Sequence, residues 1–219
     1  MVVVYVNQGE YNMIIKAKCK KCRRFGQKLF LKGDRCFGQK CAMIRRPYPP
    51  GVHGKSFKKR SSEYGLQLNE KQKVRNVYGI SEKQFKRYFK EIAIQKGNKE
   101  ELFAQKIESR LDNVVFRLGW ACSRSLARQL VSHGHILVNG RKVNISSYHV
   151  KKDEVIKIKE KSKNKTIFKD LKTLLKKYEL PTWLSSDKDK LEAKIIGKPL
   201  LEDMGKIGEL SMIIEYYSR

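Results

Sequence analysis

Two short-spaced cysteine pairs, Cys19-x2-Cys22 and Cys36-x4-Cys41, with thirteen residues between them, constrain this chain more than any other feature. They lie in a stretch with little else to hold it together: from Lys16 to Arg60 there are 16 lysines and arginines and a single acid, Asp34. A small, self-repelling segment of this kind needs a staple or a partner. Four thiolates at this spacing suit a tetrahedral zinc ion, and Gly26, Gly33 and Gly38 let the backbone turn between them. The surrounding cations are expected to lower the thiol pKa values and so ease the proton loss that ligation requires. Structural zinc contributes about 10–16 kcal/mol to folding in finger peptides, ample for so small a segment. The same thiolates would accept an iron–sulfur cluster, the less favoured occupant, and the plainest alternative is a basic arm with four free thiols.

Charge identifies the class of partner. The 219 residues include 49 Lys+Arg and 22 Asp+Glu, a formal charge of +27, and such self-repulsion is relieved when a polyanion neutralises it. Nucleic acid is the expected polyanion. No apolar run approaches the roughly 18 residues of a membrane span, and no lipidation motif is present, so no membrane partner is expected. The opening MVVVYV is too short for a signal-peptide core. Five cysteines, an odd number, argue against a disulfide framework, and a cytoplasmic protein with reduced or metal-bound thiols is expected.

The RNA-facing candidates begin in the cysteine arm with Arg23, Arg24, Lys28, Lys32 and Arg35. They continue through the proline- and glycine-rich connector with Arg45, Arg46, Tyr48, His53, Lys55, Lys58, Lys59 and Arg60. An extended backbone with cations and an occasional aromatic suits a phosphate chain and a stacked base.

Helical periodicity follows. Tyr64, Leu68, Val74 and Tyr78 predict a helix ending near Gly79, and Ser81 with Gln84 forms a capping box for a second. Phe85, Tyr88, Phe89 and Ile92 are spaced as the core face of that helix. After Asn98, a cap, Leu102 to Leu118 read as one amphipathic run to Gly119, and Ser123 opens another helix. Ile136–Val138 reads as a strand, Asn139-Gly140 as a type I′ turn, Val143–Ile145 as the partner strand and Val155–Ile158 as a third. Arg124 and Arg128 share a face at a helix start, where orphan N–H groups favour anions, and with Arg117, His133, His135, Arg141 and Lys142 they are expected to form one phosphate-binding surface. His133 and His135 have no acidic neighbour in sequence and read as hydrogen-bonding or RNA-facing groups. Cys122 reads as a small buried side chain.

Residues Arg110 to Gly119, Ser123-Arg124, Ala127 to Val131, His133 to Ile136 and Val138 to Gly140 closely resemble the RNA-binding module of the S-four family of bacterial small-subunit ribosomal proteins. Lys28 to Gly33, Arg45 to Gly51 with His53-Gly54, Glu70 to Lys73, Tyr78 to Ile80 and the closing Ile214 to Arg219 resemble the same family in order. Beside the N-terminal zinc knuckle that the cysteine spacing predicts, the resemblance implies an α+β chain with a mainly helical domain and an inserted helix-helix-β-hairpin RNA-binding module of alpha-L type. Its expected parts are an extension over 1–18, an arm over 19–54, a discontinuous helical domain over 55–101 plus 180–219, and the insert over 102–179. The last residues, with Ile214 and Tyr216 alternating, read as a strand or extended tail.

The resemblance further implies a structural component of the small ribosomal subunit, a primary binder of 16S rRNA that clamps a junction in the 5′ domain and nucleates assembly of the subunit body. It implies neighbours among the third and fifth small-subunit proteins, proximity to the channel by which messenger RNA (mRNA) enters, and an influence on translational accuracy. No small-molecule substrate and no catalysis are expected. The rival is an accessory RNA-binding or RNA-modifying protein built on the same module: Arg110-Leu111-Asp112 is similar to the Arg-Leu-Asp of some pseudouridine synthases, but Asp112 continues into an apolar helix and no segment is large enough for a catalytic domain. A zinc deaminase lacks its His-x-Glu and Pro-Cys-x-x-Cys here. A free-standing RNA chaperone would differ by lacking stable association with ribosomes.

Overall fold

The computed structural model describes residues 17–57, 60–176, 178–205 and 207–218, so all but the end of the expected extension over 1–18, together with Lys58 and Lys59, lies outside the described residues. The arm is built from short pieces: α1 (Lys18–Phe25), a 3-10 turn (Gly33–Cys36), α2 (Ala42–Arg45) and a second 3-10 turn (Val52–Lys55). Gly26, at φ 67°, stops α1 in the left-handed conformation that glycine adopts without steric cost.

Three capped helices form the bundle. In α3 (Glu63–Tyr78) the Ser62 hydroxyl accepts from Gly65 N–H, and Gly79 at φ 62° terminates the helix. In α4 (Glu82–Ala93) the Ser81 hydroxyl accepts from Gln84 N–H, as the capping-box spacing predicts, and in α5 (Lys99–Glu108) Asn98 accepts from Glu100 N–H. Phe85, Tyr88, Phe89 and Ile92 are all buried, so the aromatic face of α4 is core.

The run from Leu102 to Leu118 is two helices, not one. It breaks at Ser109 and Arg110, and α6 (Leu111–Arg117) begins after an Arg110 held in extended conformation at ψ 136°. Tertiary hydrogen bonds compensate for the lost helical turn: Leu111 N–H donates to the Tyr148 carbonyl at 2.8 Å, Val150 N–H donates to the Ser109 carbonyl at 2.9 Å, and Arg110 forms a β-bridge with His149. Apolar periodicity runs through such a break because both helices keep their inner faces buried.

Beyond α6 come α7 (Arg124–Ser132), capped by Ser123, then β1 (Ile136–Val138), β2 (Arg141–Lys142), β3 (Val155–Ile158), α8 (Glu160–Lys163), α9 (Thr166–Lys169), α10 (Leu171–Lys176), β4 (Leu184–Asp187), β5 (Glu192–Ile195) and α11 (Leu210–Ser218). Asn139 (φ 49°) and Gly140 (φ 79°) make the two-residue turn. So short a turn sets Val138 against Arg141, and the partner strand is Arg141–Lys142 in place of Val143–Ile145. Val143 N–H still donates to the Ile136 carbonyl at 3.3 Å, after which the chain leaves the ladder.

The sheet is antiparallel throughout, in the order β2-β1-β3-β5-β4. Its last two strands come from the segment expected to rejoin the helical domain. Trp183, Leu184, Ala193 and Ile195 share one core with Leu118, Trp120, Leu130, Ile136, Ile156, Phe168 and Leu171. The chain returns to the bundle only further on, where Met204, Leu210 and Ile213 join Val74, Tyr78, Phe85, Phe103 and Ile107. The closing residues are helical: Leu210, Ile213, Ile214 and Tyr217 fall at i, i+3, i+4 and i+7 and α11 lies on α3, so the expected strand or tail is corrected. The division between the two cores falls at Ser109–Arg110, since Phe103, Ala104 and Ile107 belong to the bundle and Leu111 to the sheet module. Cys22, Leu29 and Leu31 of the arm are also part of the bundle core.

His149 sits at this division, its Nδ1 3.0 Å from the Ser109 hydroxyl and its ring edge-on to Tyr88 at 5.7 Å. Burial, with Lys106 and Arg110 nearby and only partly offset by Glu91 and Asp112, pushes its pKa down to about 4. The unfolded chain binds the proton more readily, so stability present above the unfolded value of about 6.5 is lost as pH falls through this window. Thermal unfolding should therefore show a midpoint that declines from about pH 6.5 to about pH 5, before most carboxylates titrate, and His149→Gln should flatten that slope.

Candidate nucleic-acid interface

The arm carries both candidate features, thiols and cations. Cys22, Cys36 and Cys41 are buried and Cys19 half-buried, and all four line one pocket with Leu31, Lys32, Arg35, Ala42 and Met43. The loop between the pairs is held by Lys32 N–H, 3.4 Å from Cys36 Sγ. Burial pushes the Cys22 and Cys36 thiols up, and the neighbouring cysteines push the same way, outweighing the backbone N–H groups of Leu29 and Lys32 that stabilise the thiolates. Lys32 does lower the Cys36 thiol, as expected of a nearby cation, but desolvation is the larger effect and the net shift of both thiols is upward. Among the described residues no group of three or more Cys, His, Asp or Glu side chains is drawn together tightly enough to hold a metal ion. The pocket nonetheless offers a pure sulfur donor set with no competing carboxylate or imidazole in its lining.

Arg23 organises the connector. Its Nε donates to the carbonyls of Arg46 (3.1 Å) and Tyr48 (2.9 Å), its Nη2 to that of Pro49 (3.2 Å), and its guanidinium lies 4.9 Å from the Tyr48 ring. Lys55 Nζ is 5.3 Å from the same ring. Gly54 is required here, because a Cβ at that position would collide with the Pro49 carbonyl. With the connector folded onto α1, Arg24, Lys32, Arg35, Arg45, Arg46, His53, Lys55 and Arg60 remain exposed and Lys28 half-buried.

The three arginines expected to make a common phosphate surface have other partners. Arg117 binds Glu108 through two hydrogen bonds of 2.8 Å and also donates to the Asp203 carbonyl. Arg128 donates to Asp112 at 2.6 and 2.9 Å and to the carbonyls of Tyr78 and Gly79. Arg124 donates to Asn113 Oδ1 at 2.8 Å and lies over the rings of Tyr78 and Phe116 at 4.6 and 4.4 Å. Arg117 closes α6, and Arg124 and Arg128 lie in the first half of α7, as expected, but the donors of all three point into the seam between bundle and module. His135 is likewise buried, its Nδ1 2.9 Å from the Ser162 hydroxyl, which removes it from the RNA-facing group. His133, Arg141 and Lys142 are exposed, with the Lys142 stem laid across Gly134.

The carboxylates of this seam were not visible as a network in the sequence. Asp112 takes a bidentate pair from Arg110 (2.9 and 3.1 Å) besides Arg128, which explains why it is a structural residue and no nucleophile. Glu108 is fully buried; burial alone would raise its pKa, but Arg117, Arg124 and Tyr78 hold it below the usual carboxylate range. The arm also touches the module: Lys18 Nζ donates to the Ser125 hydroxyl, and Gly33, at φ 62°, admits the Cys122 carbonyl so closely that any Cβ would overlap it. Cys122 is exposed at this contact rather than buried.

Comparison with known proteins bears on most of the chain. Residues 14–108 match the family model for the ribosomal protein S4/S9 N-terminal domain, and residues 109–156 match that for the S4 domain. The chain is 52% identical to small ribosomal subunit protein uS4 of Caldicellulosiruptor bescii over 201 residues, covering 92% of this chain and 96% of that one. It is 50% identical to its counterpart in Clostridium botulinum, over 93% and 97% of the two chains, and 48% identical to that of Thermus thermophilus, over 92% and 96%. The boundary between the matched models falls within one residue of the structural break at Ser109 and Arg110.

Removing one partner of a buried ion pair leaves an uncompensated charge. Arg117→Ala should lower the free energy of unfolding by about 3–5 kcal/mol in urea titrations, because Glu108 is left buried without its main partner.

Proposed function

The chain belongs to the ribosomal protein S4 family, and from that premise we propose that it binds small-subunit ribosomal RNA through the exposed cations of its arm, connector and hairpin, while the arginines of the seam hold those surfaces in register. It is a structural protein of the small ribosomal subunit and not an enzyme. The observation that carries the assignment of residues is the contrast in placement: Arg24, Lys32, Arg35, Arg45, Arg46, Lys55, Arg141 and Lys142 are exposed, whereas Arg117, Arg124 and Arg128 are committed to protein acceptors. Exposed lysines and arginines neutralise phosphates and release counterions, and a rigid spacing between them recognises a folded RNA by shape. The RNA of this reading is a junction in the 5′ domain of 16S rRNA, where binding would nucleate assembly of the subunit body. Contacts with the third and fifth small-subunit proteins, a place near the channel by which mRNA enters, and an influence on translational accuracy belong to the same reading.

We further propose that the four cysteines hold one structural zinc. All four line a common pocket with Leu31, Met43 and Ala42, and three of the four are buried. Cys19, Cys22, Cys36 and Cys41 would supply the ligands, and zinc would supply a crosslink between α1 and the turn leading to α2. Bound metal would also relieve the mutual repulsion of thiolates that, with burial, now disfavours ionisation of Cys22 and Cys36.

Filter binding of the full chain to a 5′-domain fragment of 16S rRNA over a series of salt concentrations tests the RNA assignment. The wild type should bind with a steep salt dependence, and Arg45→Ala with Arg46→Ala should reduce the slope by about 2, one for each lost phosphate contact. An unchanged slope would remove the connector from the interface. Elemental analysis of protein purified without added metal should find about one zinc per chain, as a four-cysteine site requires. Iron in its place would indicate the cluster, and no metal with four freely reactive thiols would reject the knuckle.

A further inference from the structure

Phe30 and Phe37 are large apolar rings that the fold leaves in the open. They are 47% and 73% exposed, lie 5.0 Å apart between centroids and are tilted by 31°. Phe30 has φ 49°, a left-handed backbone conformation that residues bearing a Cβ seldom adopt, and no burial of its ring compensates for it. Strain and exposure at one residue point to a ligand more than to packing. In sequence the two phenylalanines are interleaved with Lys28, Lys32, Arg35 and Lys40, with Asp34 the one acid in the stretch, and Lys32, Arg35 and Lys40 are exposed as the rings are. A polymer that alternates phosphate with a flat heterocycle matches both properties, since the cations take the backbone and an exposed ring takes the face of a base.

We propose that the Phe30–Phe37 pair is a stacking site for an unpaired nucleobase of the bound RNA. The site rests on the RNA-binding reading above and adds to it a contact that does not depend on charge. Phe30 fixes the orientation of the pair through its turn, and Phe37, the more exposed ring, carries the free face. Stacking tolerates any base, so the site requires an unstacked nucleotide at one place in the junction and leaves its identity open.

The test is binding of the full chain to the 5′-domain fragment at several salt concentrations with Phe37→Leu, Phe30→Leu/Phe37→Leu and Phe37→Trp. Phe37→Leu should weaken binding about tenfold, the loss of one stacked base, and leave the salt slope unchanged, since no cation has been removed. Phe37→Trp should restore affinity, and its fluorescence should change when RNA is added; the natural Trp120 and Trp183 are only 1% and 3% exposed and give a quiet background. The exposed position of Phe37 makes Phe37→Leu compatible with folding, which circular dichroism verifies. Wild-type affinity in both leucine variants, with the salt slope intact, would overturn the stacking site and leave the RNA-binding reading standing. Failure of the wild type itself to bind the fragment would overturn both. A loss that appears only when other small-subunit proteins are present would assign the rings to a protein neighbour and overturn the proposal.

Discussion

Two buried carboxylates, Glu108 and Asp112, govern how the halves of this molecule meet. Each sits beside the break between α5 and α6, and each is neutralised by arginines from different elements: Arg117 on Glu108, Arg110 and Arg128 on Asp112. Neither charge tolerates burial alone, so the geometry in which all are paired is strongly preferred over its neighbours. Arg128 then carries this local balance across to the bundle through the carbonyls at the end of α3, and Arg117 reaches the C-terminal segment at Asp203. A strongly basic chain thereby uses part of its positive charge internally, while Arg24, Lys32, Arg35, Arg45, Arg46, Lys55, Arg141 and Lys142 face outward.

How much of this is legible in sequence depends on whether a signal is local. Ser62, Ser81, Asn98 and Ser123 cap helices through contacts two or three residues away, and three of those four starts are readable from the chain alone. The aromatic face of α4 and the Asn139-Gly140 turn are equally local. The helical break at Ser109 is not, because its cause is a pair of hydrogen bonds to Tyr148 and Val150, about forty residues on. Strands β4 and β5 are brief and partly polar, and only their pairing with β3 makes them strands. In the closing segment, alternation of Ile214 and Tyr216 suggests a strand when taken by itself; extended back to Leu210 and Ile213 it is helical.

The candidate site divides in the same way. Cys19, Cys22, Cys36 and Cys41 line one pocket, while among the described residues they are not grouped tightly enough to hold a metal ion. Arginine, in contrast, has the same signature whether it meets a phosphate or a carboxylate. Arg124 and Arg128 share a helical face as their spacing requires, but the partners that claim them, Asn113 and Asp112, come from a neighbouring helix. His135 is buried with its Nδ1 against the Ser162 hydroxyl, and the Cys122 carbonyl meets Gly33 of an arm that docks from nearly ninety residues earlier, both contacts remote in sequence.

That docking contact gives the three parts a closed circuit. The arm enters the bundle core with Cys22, Leu29 and Leu31, the bundle joins the module through the carboxylate seam, and the module meets the arm again where Gly33 receives the Cys122 carbonyl. Three bodies joined in a line keep two hinges; joined in a ring, they behave as a triangulated truss whose corners cannot move independently. Glycine at position 33 is the pin that closes it. The separation between the cations of the arm and those of the hairpin is therefore a built dimension of the molecule, set before any RNA arrives to be measured against it.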